Sequence, residues 1–350
     1  MSVDSDKDQE IEPGQDWEVD LFRPEDAEGV ARLFRSVYGE GYAVRTYLEP
    51  QLLIQENAAQ CTISSVARTP RGDVVGHNAL FNSAAHPGTY ESGAGAVHTA
   101  YRGGKGVFTR MFEHGLEIAK TLARVNAVFS EPVCNHIFSQ KMTDKGGFIL
   151  RALEVDLISA EAHEKDGGAS GRVAAFLNFR TFRPRPHAVY LPAAYQHVLG
   201  FLYDGLDDSR NFRISKEGVP VGTVSRIRPR IFDSAGVARV EVTEAGGDFA
   251  ARMETLEREL RQRKIEVIQI GLDLSSPWVG EAVQMLRGRG YFLGGPLPRW
   301  FDNDGLLMQK ILQRPNWEGI CLYGDRAAQM LELVQADWER SLSYVNSGDD

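Results

Sequence analysis

The stretch that decides the fold runs from Gly95 to Arg124. It starts with the end of an apolar strand, continues as HTAYRGGKG at positions 98–106, and ends in an amphipathic segment. Three glycines at 103, 104 and 106 allow a tight turn whose backbone N–H groups are uncovered. Apolar residues then recur three and four positions apart, which predicts a helix whose first amides favour an anion. The stretch therefore predicts a strand, a basic glycine-rich turn and a helix that together hold a phosphate or pyrophosphate.

The turn does not fit the two commonest phosphate motifs. A Walker loop needs Gly-x4-Gly-Lys followed by Ser or Thr, and a dinucleotide fingerprint needs Gly-x-Gly-x-x-Gly and a later acidic residue. Neither pattern occurs here. A glycine-rich surface turn that binds nothing is the alternative interpretation.

The turn resembles the acyl-CoA loop of the GNAT superfamily of N-acetyltransferases, in which a strand ending in Val-His precedes a Tyr-Arg-Gly-rich turn and a helix. The matching residues here are Val97-His98 and Tyr101-Arg102-Gly103-Gly104. The resemblance implies that the turn's amides hold the pyrophosphate of acetyl-CoA or another acyl-CoA. The turn has one residue more than the usual spacing, so that Val107 or Phe108 stands where the family has Gly or Ala. The cofactor-binding residues that the resemblance implies are Val97, His98, Arg102, Gly103, Gly104, Lys105, Gly106, Val107 and Phe108.

Composition limits the class of protein. The chain has 350 residues, 43% of them hydrophobic, which is enough for a large core and two domains. No run of about eighteen apolar residues predicts a membrane span, and the expected location is the cytoplasm. Three widely separated cysteines indicate neither a disulfide framework nor a zinc site, so no metal is expected. The net charge of −9 disfavours nucleic acid as a partner and suits a cationic amine.

The order of predicted elements extends the resemblance to a whole domain. Residues 1–16 are too acidic to pack and are expected to be disordered. From Trp17 to Phe182 the patterns predict strand, helix, helix, three strands, helix, strand, helix and two strands. This is the order of one complete GNAT domain, which we place at residues 17–186. Two prolines, Pro184 and Pro186, mark its end.

The second half, residues 187–350, echoes the first. Adding 143 to the numbering places Val97 on Val240, Gly103-Gly104 on Gly246-Gly247 and Gly147 on Gly290. Chance similarity between two α/β units is the alternative. We predict an α/β (α+β) fold class with two GNAT-like domains in tandem, each a mixed, largely antiparallel central sheet flanked by helices. Lys105 corresponds to Asp248, whose charge would repel a pyrophosphate, so the second copy is expected to be degenerate.

The resemblance also guides the choice of acceptor and catalytic residues. Tyr38 and Tyr42 lie in the loop that borders the acceptor site in the family, and packing at the rim is their alternative role. The family's usual tyrosine acid is replaced by Thr143, and its usual asparagine by His136. Nearby substitutes for proton transfer are Glu131, His136 and Ser139, although His136 would serve equally well as a helix cap.

Two classes of function follow. The first is an acyl-CoA-dependent N-acyltransferase that transfers an acyl group, most simply acetyl, to an amine of a small metabolite or peptide. The second is a non-catalytic acyl-CoA-binding regulatory or scaffolding module, suggested by Thr143 and by the altered end of the loop. Either is compatible with an oligomer.

Overall fold

A computed structural model describes residues 11–345 with the exception of 43, 105, 160–170 and 207. The chain divides into two compact units. The first contains the residues up to Asn82 together with Glu91–Ala123, and the second contains Ser83–Tyr90 and the residues from Arg124 onwards. The domain limits at 17–186 and 187–350 remain a prediction. The division into compact units instead places the residues from Arg124 onwards in one unit with residues 187–350.

The described residues of the first unit form four strands and three α-helices. Its strands lie in the order β1, β2, β3, β4, and β2 is antiparallel to both β1 and β3. Its elements are β1 (Glu18–Leu21), α1 (Ala27–Tyr38), α2 (Pro50–Ala58), β2 (Thr62–Arg68), β3 (Val74–Asn82), β4 (Thr89–Val97) and α3 (Val107–Thr121).

Helix α1 has the apolar face that the sequence predicts. Val30, Leu33 and Phe34 are buried, and the helix follows a short turn that opens with Pro24. The predicted second helix begins later than Thr46, at Pro50, because proline lacks an N–H and suits the first helical position.

Residues of the acidic N-terminal segment contact the first unit. Ile11 packs beside Trp17, and the Arg71 guanidinium donates to the Glu12 carboxylate at 2.5 Å. Residues 11–16 are therefore better described as a packed segment than as the disordered tail that their composition predicts. Residues 1–10 of that predicted tail lie outside the described residues.

Among the described residues of the second unit, neighbouring strands lie in the order β5, β7, β6 and in the order β10, β11, β12, β14, β13, and β8 pairs with β9. The elements are β5 (Ala127–Ser130), α4 (Phe138–Lys145), β6 (Ile149–Ile158), β7 (Val173–Thr181), β8 (His187–Leu191), α5 (Gln196–Tyr203), β9 (Arg210–Ile214), β10 (Arg226–Phe232), β11 (Val237–Glu244), α6 (Phe249–Gln262), β12 (Val267–Asp273), α7 (Val279–Gly288), β13 (Phe292–Phe301), β14 (Asn303–Ile311) and α8 (Asp325–Val345). The predicted mixed α/β class is confirmed.

A structural repeat runs through the second unit, and the 143-residue offset holds as far as β6 and β13 but not for β7 and β14. The order β5–α4–β6–β7 recurs as β12–α7–β13–β14. In both groups of three strands, the strand that comes last in the sequence lies in the middle. The β6–β7 register shifts between Leu150 and Ala152 and again between Glu154 and Ile158. The β13–β14 register shifts at the equivalent positions, between Leu293 and Gly295 and between Leu297 and Phe301.

Backbone dihedral angles repeat at the same offset. Asp156 has φ 54° and Arg299 has φ 58°, although neither is a glycine, and Gly147 and Gly290 have φ 74° and 85°. Left-handed non-glycine residues are uncommon, so their recurrence at matched positions is a specific likeness.

Strands β6 and β13 approach each other closely at matched positions of this repeat. Gly295 has φ +135°, and a Cβ built on it would lie 2.3 Å from the Arg151 carbonyl oxygen and 2.7 Å from the Ala152 Cα. Only glycine fits both the angle and the space. The equivalent of Gly295 in the first half of the repeat is Ala152, the residue it touches.

We expect Gly295→Ala to lower the free energy of unfolding by about 2–4 kcal/mol, because the added Cβ meets backbone and the φ angle is unfavourable. Urea unfolding followed by circular dichroism measures the change. Gly288→Ala, at a helical glycine with no atom within 4 Å of its built Cβ, should change stability by less than about 1 kcal/mol. Equal stability of the two variants would contradict this account of the close approach.

Candidate functional site

The glycine-rich turn of the first unit contains three left-handed glycines just before the start of α3. A short 3-10 turn at Thr99–Tyr101 follows β4, after which Gly103, Gly104 and Gly106 have φ angles of 79°, 95° and 73°. Helix α3 begins at Val107 with Gly106 as its N-cap. Lys105, a predicted phosphate contact, lies outside the described residues.

The turn is open to solvent. A Cβ built on Gly103, Gly104 or Gly106 meets no atom of the described residues within 4 Å. Gly106 has no side chain that could cap the helix, and the first turn of α3 contains no acidic residue. The first amides of α3 and the positive end of its dipole are thus left available to an anion.

Three side chains hold the turn in place. Tyr101 is buried, and its hydroxyl donates to the Glu12 carbonyl oxygen at 2.8 Å. The Arg102 Nε donates to the Val97 carbonyl oxygen at 2.9 Å, which ties the turn to the end of β4. The Ala100 N–H donates to His98 Nδ1 at 3.4 Å, and burial, followed by the Arg102 charge, lowers the His98 pKa. His98 is therefore a neutral acceptor for the backbone.

Helix α3 packs tightly on its sheet through two glycines. A Cβ on Gly76 would lie 2.9 Å from both the Val107 and Met111 side chains, and one on Gly95 would lie 2.2 Å from the Phe108 ring. Val107 is buried and Phe108 packs on the same apolar cluster. Of the predicted cofactor contacts, these two residues thus offer backbone amides, while their side chains fill the core.

The two tyrosines predicted to contact an acceptor lie together beside β4. The Tyr38 and Tyr42 rings stack with centroids 4.9 Å apart, and both rest on Phe34 at 5.6 and 5.2 Å. The Tyr38 hydroxyl donates to the Gly95 carbonyl oxygen. Tyr38 remains 41% exposed, so the pair presents an aromatic surface next to the strand that leads into the glycine turn.

His77 is a neighbour of this aromatic cluster that sequence reasoning passed over. Its ring is fully buried, its Nδ1 lies 2.9 Å from the Ala94 carbonyl oxygen, and its Nε2 lies 2.9 Å from Ser64 Oγ. Burial lowers the His77 pKa to about 4. Ala94 has φ 50°, so His77 holds an irregular residue of β4 in place. A single histidine in an alternating strand pattern carries no signal of that role.

Glu131, the predicted base, lies in an ionic cluster of the second unit. Arg239 Nη2 contacts the Glu131 carboxylate at 2.8 Å and the Glu154 carboxylate at 3.1 Å. Gln269 accepts from Arg239 Nε at 2.9 Å and donates to Glu154 at 2.9 Å. Arg239, Glu154 and Gln269 were not predicted, because they come from three strands far apart in the sequence.

Glu154 retains a proton more readily than an ordinary glutamate. It is 3% exposed, its Oε2 has no hydrogen-bond partner among the described residues, and a cavity of about 30 Å³ borders the cluster. Burial, and then repulsion by Glu131, raises the pKa of Glu154 to about 8. One arginine facing two carboxylates thus leaves the buried carboxylate protonated near neutral pH.

His136 and Ser139 lie at the start of α4. The helix begins at Phe138, later than the predicted Asn135, and the Phe138 N–H donates to His136 Nδ1 at 3.3 Å. This geometry matches the capping role that the sequence left open for His136. Ser139 Oγ is buried without a hydrogen-bond partner among the described residues. Thr143, at the position of the family's tyrosine, is fully buried and accepts from Asn178 Nδ2 at 2.7 Å.

The second glycine turn, Gly246-Gly247, is covered by its own chain. A Cβ on Gly246 would lie 1.8 Å from the Thr223 carbonyl oxygen, and one on Gly247 would lie 2.7 Å from that of Val221. Asp248 is the N-cap of α6, and its Oδ1 accepts from the Ser225 N–H and hydroxyl at 2.8 and 2.6 Å. These hydrogen bonds lower the Asp248 pKa, so a carboxylate occupies this helix start.

The predicted site residues therefore fall into two groups. The described loop residues and the two tyrosines lie in the first unit, whereas Glu131, His136 and Ser139 lie in the second. Within the described residues, no helix is both long enough and apolar enough to span a bilayer.

No family model and no curated protein matches the chain. Solved structures are similar to about half of it. An N-acetyltransferase from Staphylococcus aureus Mu50 has 14% identity, covers 48% of this chain and 100% of its own, and has a TM-score of 0.39. A GNAT superfamily phosphinothricin acetyltransferase from Sinorhizobium meliloti, in complex with acetyl-CoA, has 17% identity, covers 48% and 89%, and also has a TM-score of 0.39.

The ionic cluster predicts a specific pH dependence of stability. Folding raises the Glu154 pKa from its ordinary 4.5 to about 8, so between these values the native state holds a proton that the unfolded chain has lost. Stability should then fall as pH rises through this window, by up to about 5 kcal/mol from this group. Urea unfolding at pH 5.5 and 8.5 should show a smaller pH difference in Glu154→Gln than in the parent. Glu254→Gln, on the exposed face of α6, should behave like the parent. An undiminished pH difference in Glu154→Gln would show that Glu154 is ionised throughout.

Proposed function

We propose that the chain is an acyl-CoA-dependent N-acyltransferase, with acetyl-CoA as the simplest donor and an amine of a small metabolite or peptide as the acceptor. The observation that carries the proposal is the open turn at Gly103–Gly106. It ends at the uncapped start of α3, where three left-handed glycines leave amides exposed and no carboxylate of the first helical turn competes for them.

The residues of the turn fit a pyrophosphate. Gly103, Gly104 and Gly106 leave open space where a side chain would stand, and the backbone amides from Gly103 to Phe108 are its natural donors. Arg102 is exposed and adds positive charge while its Nε holds the Val97 carbonyl oxygen. Bound acyl-CoA would supply an activated thioester carbonyl, and the protein would supply position and proton transfer.

The acceptor would meet the aromatic pair. Tyr38 and Tyr42 present ring faces, which attract an ammonium group as well as apolar surface. The ammonium must lose a proton before its nitrogen attacks. We assign this task to Glu131 and His136, with Ser139 as a hydrogen-bonding neighbour, since Glu131 is held by Arg239 and both other residues lie at the start of α4.

We further infer that residues 17–186 and 187–350 are tandem copies of one domain, of which the second no longer binds acyl-CoA. The matched register shifts of β6–β7 and β13–β14 support the duplication. The covering of Gly246-Gly247 by Val221–Ser225, and the carboxylate of Asp248, support the loss of binding.

The second candidate function is a non-catalytic acyl-CoA-binding module for regulation or scaffolding. Specific observations favour it. Thr143 is buried against Asn178, His136 is engaged at the start of α4, and Glu131 is paired with Arg239. These groups are then structural, and the open turn alone retains a ligand.

Calorimetric titration with CoA tests whether the chain binds CoA, which both candidate functions require. We expect one CoA per chain, and we expect Gly104→Val and Gly106→Val to weaken binding at least about tenfold, because a β-branched residue distorts a left-handed turn. Gly72→Val is the matched control, since Gly72 also has a left-handed φ, of +87°, and an equally open surrounding but lies in another turn. A stoichiometry of two, or parent-like affinity in both loop variants, would refute the assignment.

A measurement of turnover distinguishes the acyltransferase from the non-catalytic binding module. With acetyl-CoA and a panel of amines, Glu131→Gln and His136→Ala should lower the rate about a hundredfold to ten-thousandfold at unchanged CoA affinity. The release of free CoA gives the rate, and calorimetry gives the affinity. Parent-like turnover in both variants would remove these two residues from the mechanism. CoA binding without turnover on any amine would favour the module.

A further inference from the structure

An open cleft of about 320 Å³ lies in the second unit between α4, the paired strands β6 and β7, and the start of α8. Its apolar lining includes Phe148, Leu150 and Phe176, which are 4%, 9% and 1% exposed. Tyr323 and Asp325 contribute from the α8 side. The volume is that of a small-molecule site, and its walls come from segments that are far apart in the sequence.

One buried polar atom of this lining has no hydrogen-bond partner among the described residues. Thr143 Oγ1 lies 3.1 and 3.0 Å from the carbonyl oxygens of Ser139 and Gln140, so its hydroxyl hydrogen is used within α4. Its lone pair therefore accepts from the Asn178 amide nitrogen at 2.7 Å. This fixes the amide orientation and leaves Asn178 Oδ1 as the unused group. Asn178 is 6% exposed, and its Oδ1 has no partner among the described residues.

The charged residues that line the cleft are two carboxylates and one arginine. Asp144 and Asp325 are both exposed lining residues, and neither lies in an ion pair with another described residue. Arg326 also lines the cleft, but its Nε donates to the Leu150 carbonyl oxygen at 2.9 Å and its Nη2 to that of Leu202 at 3.0 Å. Lys141 Nζ lies 5.4 Å from the centre of the Tyr323 ring.

We propose that this cleft binds a small primary amine in its protonated form, with an aliphatic or aromatic body. The ammonium donates to Asn178 Oδ1, Asp144 and Asp325 supply the opposite charge, and the body lies against Phe148 and Phe176. A buried acceptor without a partner favours a donor group, and two carboxylates favour a cation over an alcohol or an acid. This binding does not require the transfer reaction and concerns residues other than the proposed catalytic ones.

Ligand-observed NMR on the full chain without acyl-CoA tests the proposal with 2-phenylethylamine as the probe. We expect saturable binding, at least about tenfold weaker binding of 2-phenylethanol, and no binding of 3-phenylpropionate. Asp144→Asn and Asp325→Asn should each weaken the amine severalfold, since both side chains are exposed and the variants should fold. Glu332→Gln, elsewhere on α8, is the matched control and should bind like the parent.

Asn178 provides the second readout. Asn178→Leu should abolish saturable binding, whereas Asn178→Asp keeps an acceptor, adds charge and should bind the amine at least as well as the parent. Absence of saturable binding to the parent would overturn the proposal, as would equal affinity for 2-phenylethanol or unchanged affinity in both aspartate variants. None of these results depends on the CoA titration, so the two failures are distinguishable.

Discussion

The second unit depends on one backbone contact, where Gly295 of β13 lies against Arg151 and Ala152 of β6. Because no side chain of Gly295 separates the two strands there, the Gln309 side chain nearby can form hydrogen bonds with the backbone of β6. Gln309 Nε2 donates to the Leu153 carbonyl oxygen at 2.8 Å, and the Val155 N–H donates to Gln309 Oε1 at 2.9 Å. Apolar residues of both strands then belong to one core cluster. Gly295 and Ala152, which meet at this contact, are equivalent positions in the repeat.

Polar groups complete this joint rather than weaken it. Arg239 reaches from β11 to Glu131 and Glu154, and Arg172 reaches the Glu266 carboxylate at 3.1 Å. Partly buried ion pairs offset their own desolvation only when the geometry is good, so their contribution to stability is modest. They do restrict how the two sheets fit, since any shift would leave the partly buried Arg239 guanidinium without the Glu131 carboxylate. Glu131 therefore has a structural role whether or not it also transfers protons.

The sequence predicted the helices and strands better than the contacts between residues of separate strands or loops. The periodicity of Phe108, Met111, Phe112 and Ala119 identified α3, and the glycines identified the turn before it. Helix α2 begins at Pro50 and α4 begins at Phe138, both later than predicted, because local backbone chemistry sets where a helix starts. The ion pairs of Arg239, the burial of His77 and the covering of Gly246 could not be predicted, because each joins residues from separate strands or loops. A constant offset in numbering suggested a repeat, but only backbone geometry shows how specific the likeness is.

If the first glycine turn binds acyl-CoA as proposed, the two glycine turns respond differently to mass action. A ligand that binds only the folded form adds RT ln(1 + [L]/Kd) to its stability, so the segment around Gly104 gains rigidity only while the ligand is present. The segment around Gly246 is covered by Val221–Ser225 of the same chain, so its effective concentration at the turn does not vary. Resistance of the first turn to proteolytic nicking would follow the cellular supply of its ligand, whereas that of the second turn would not.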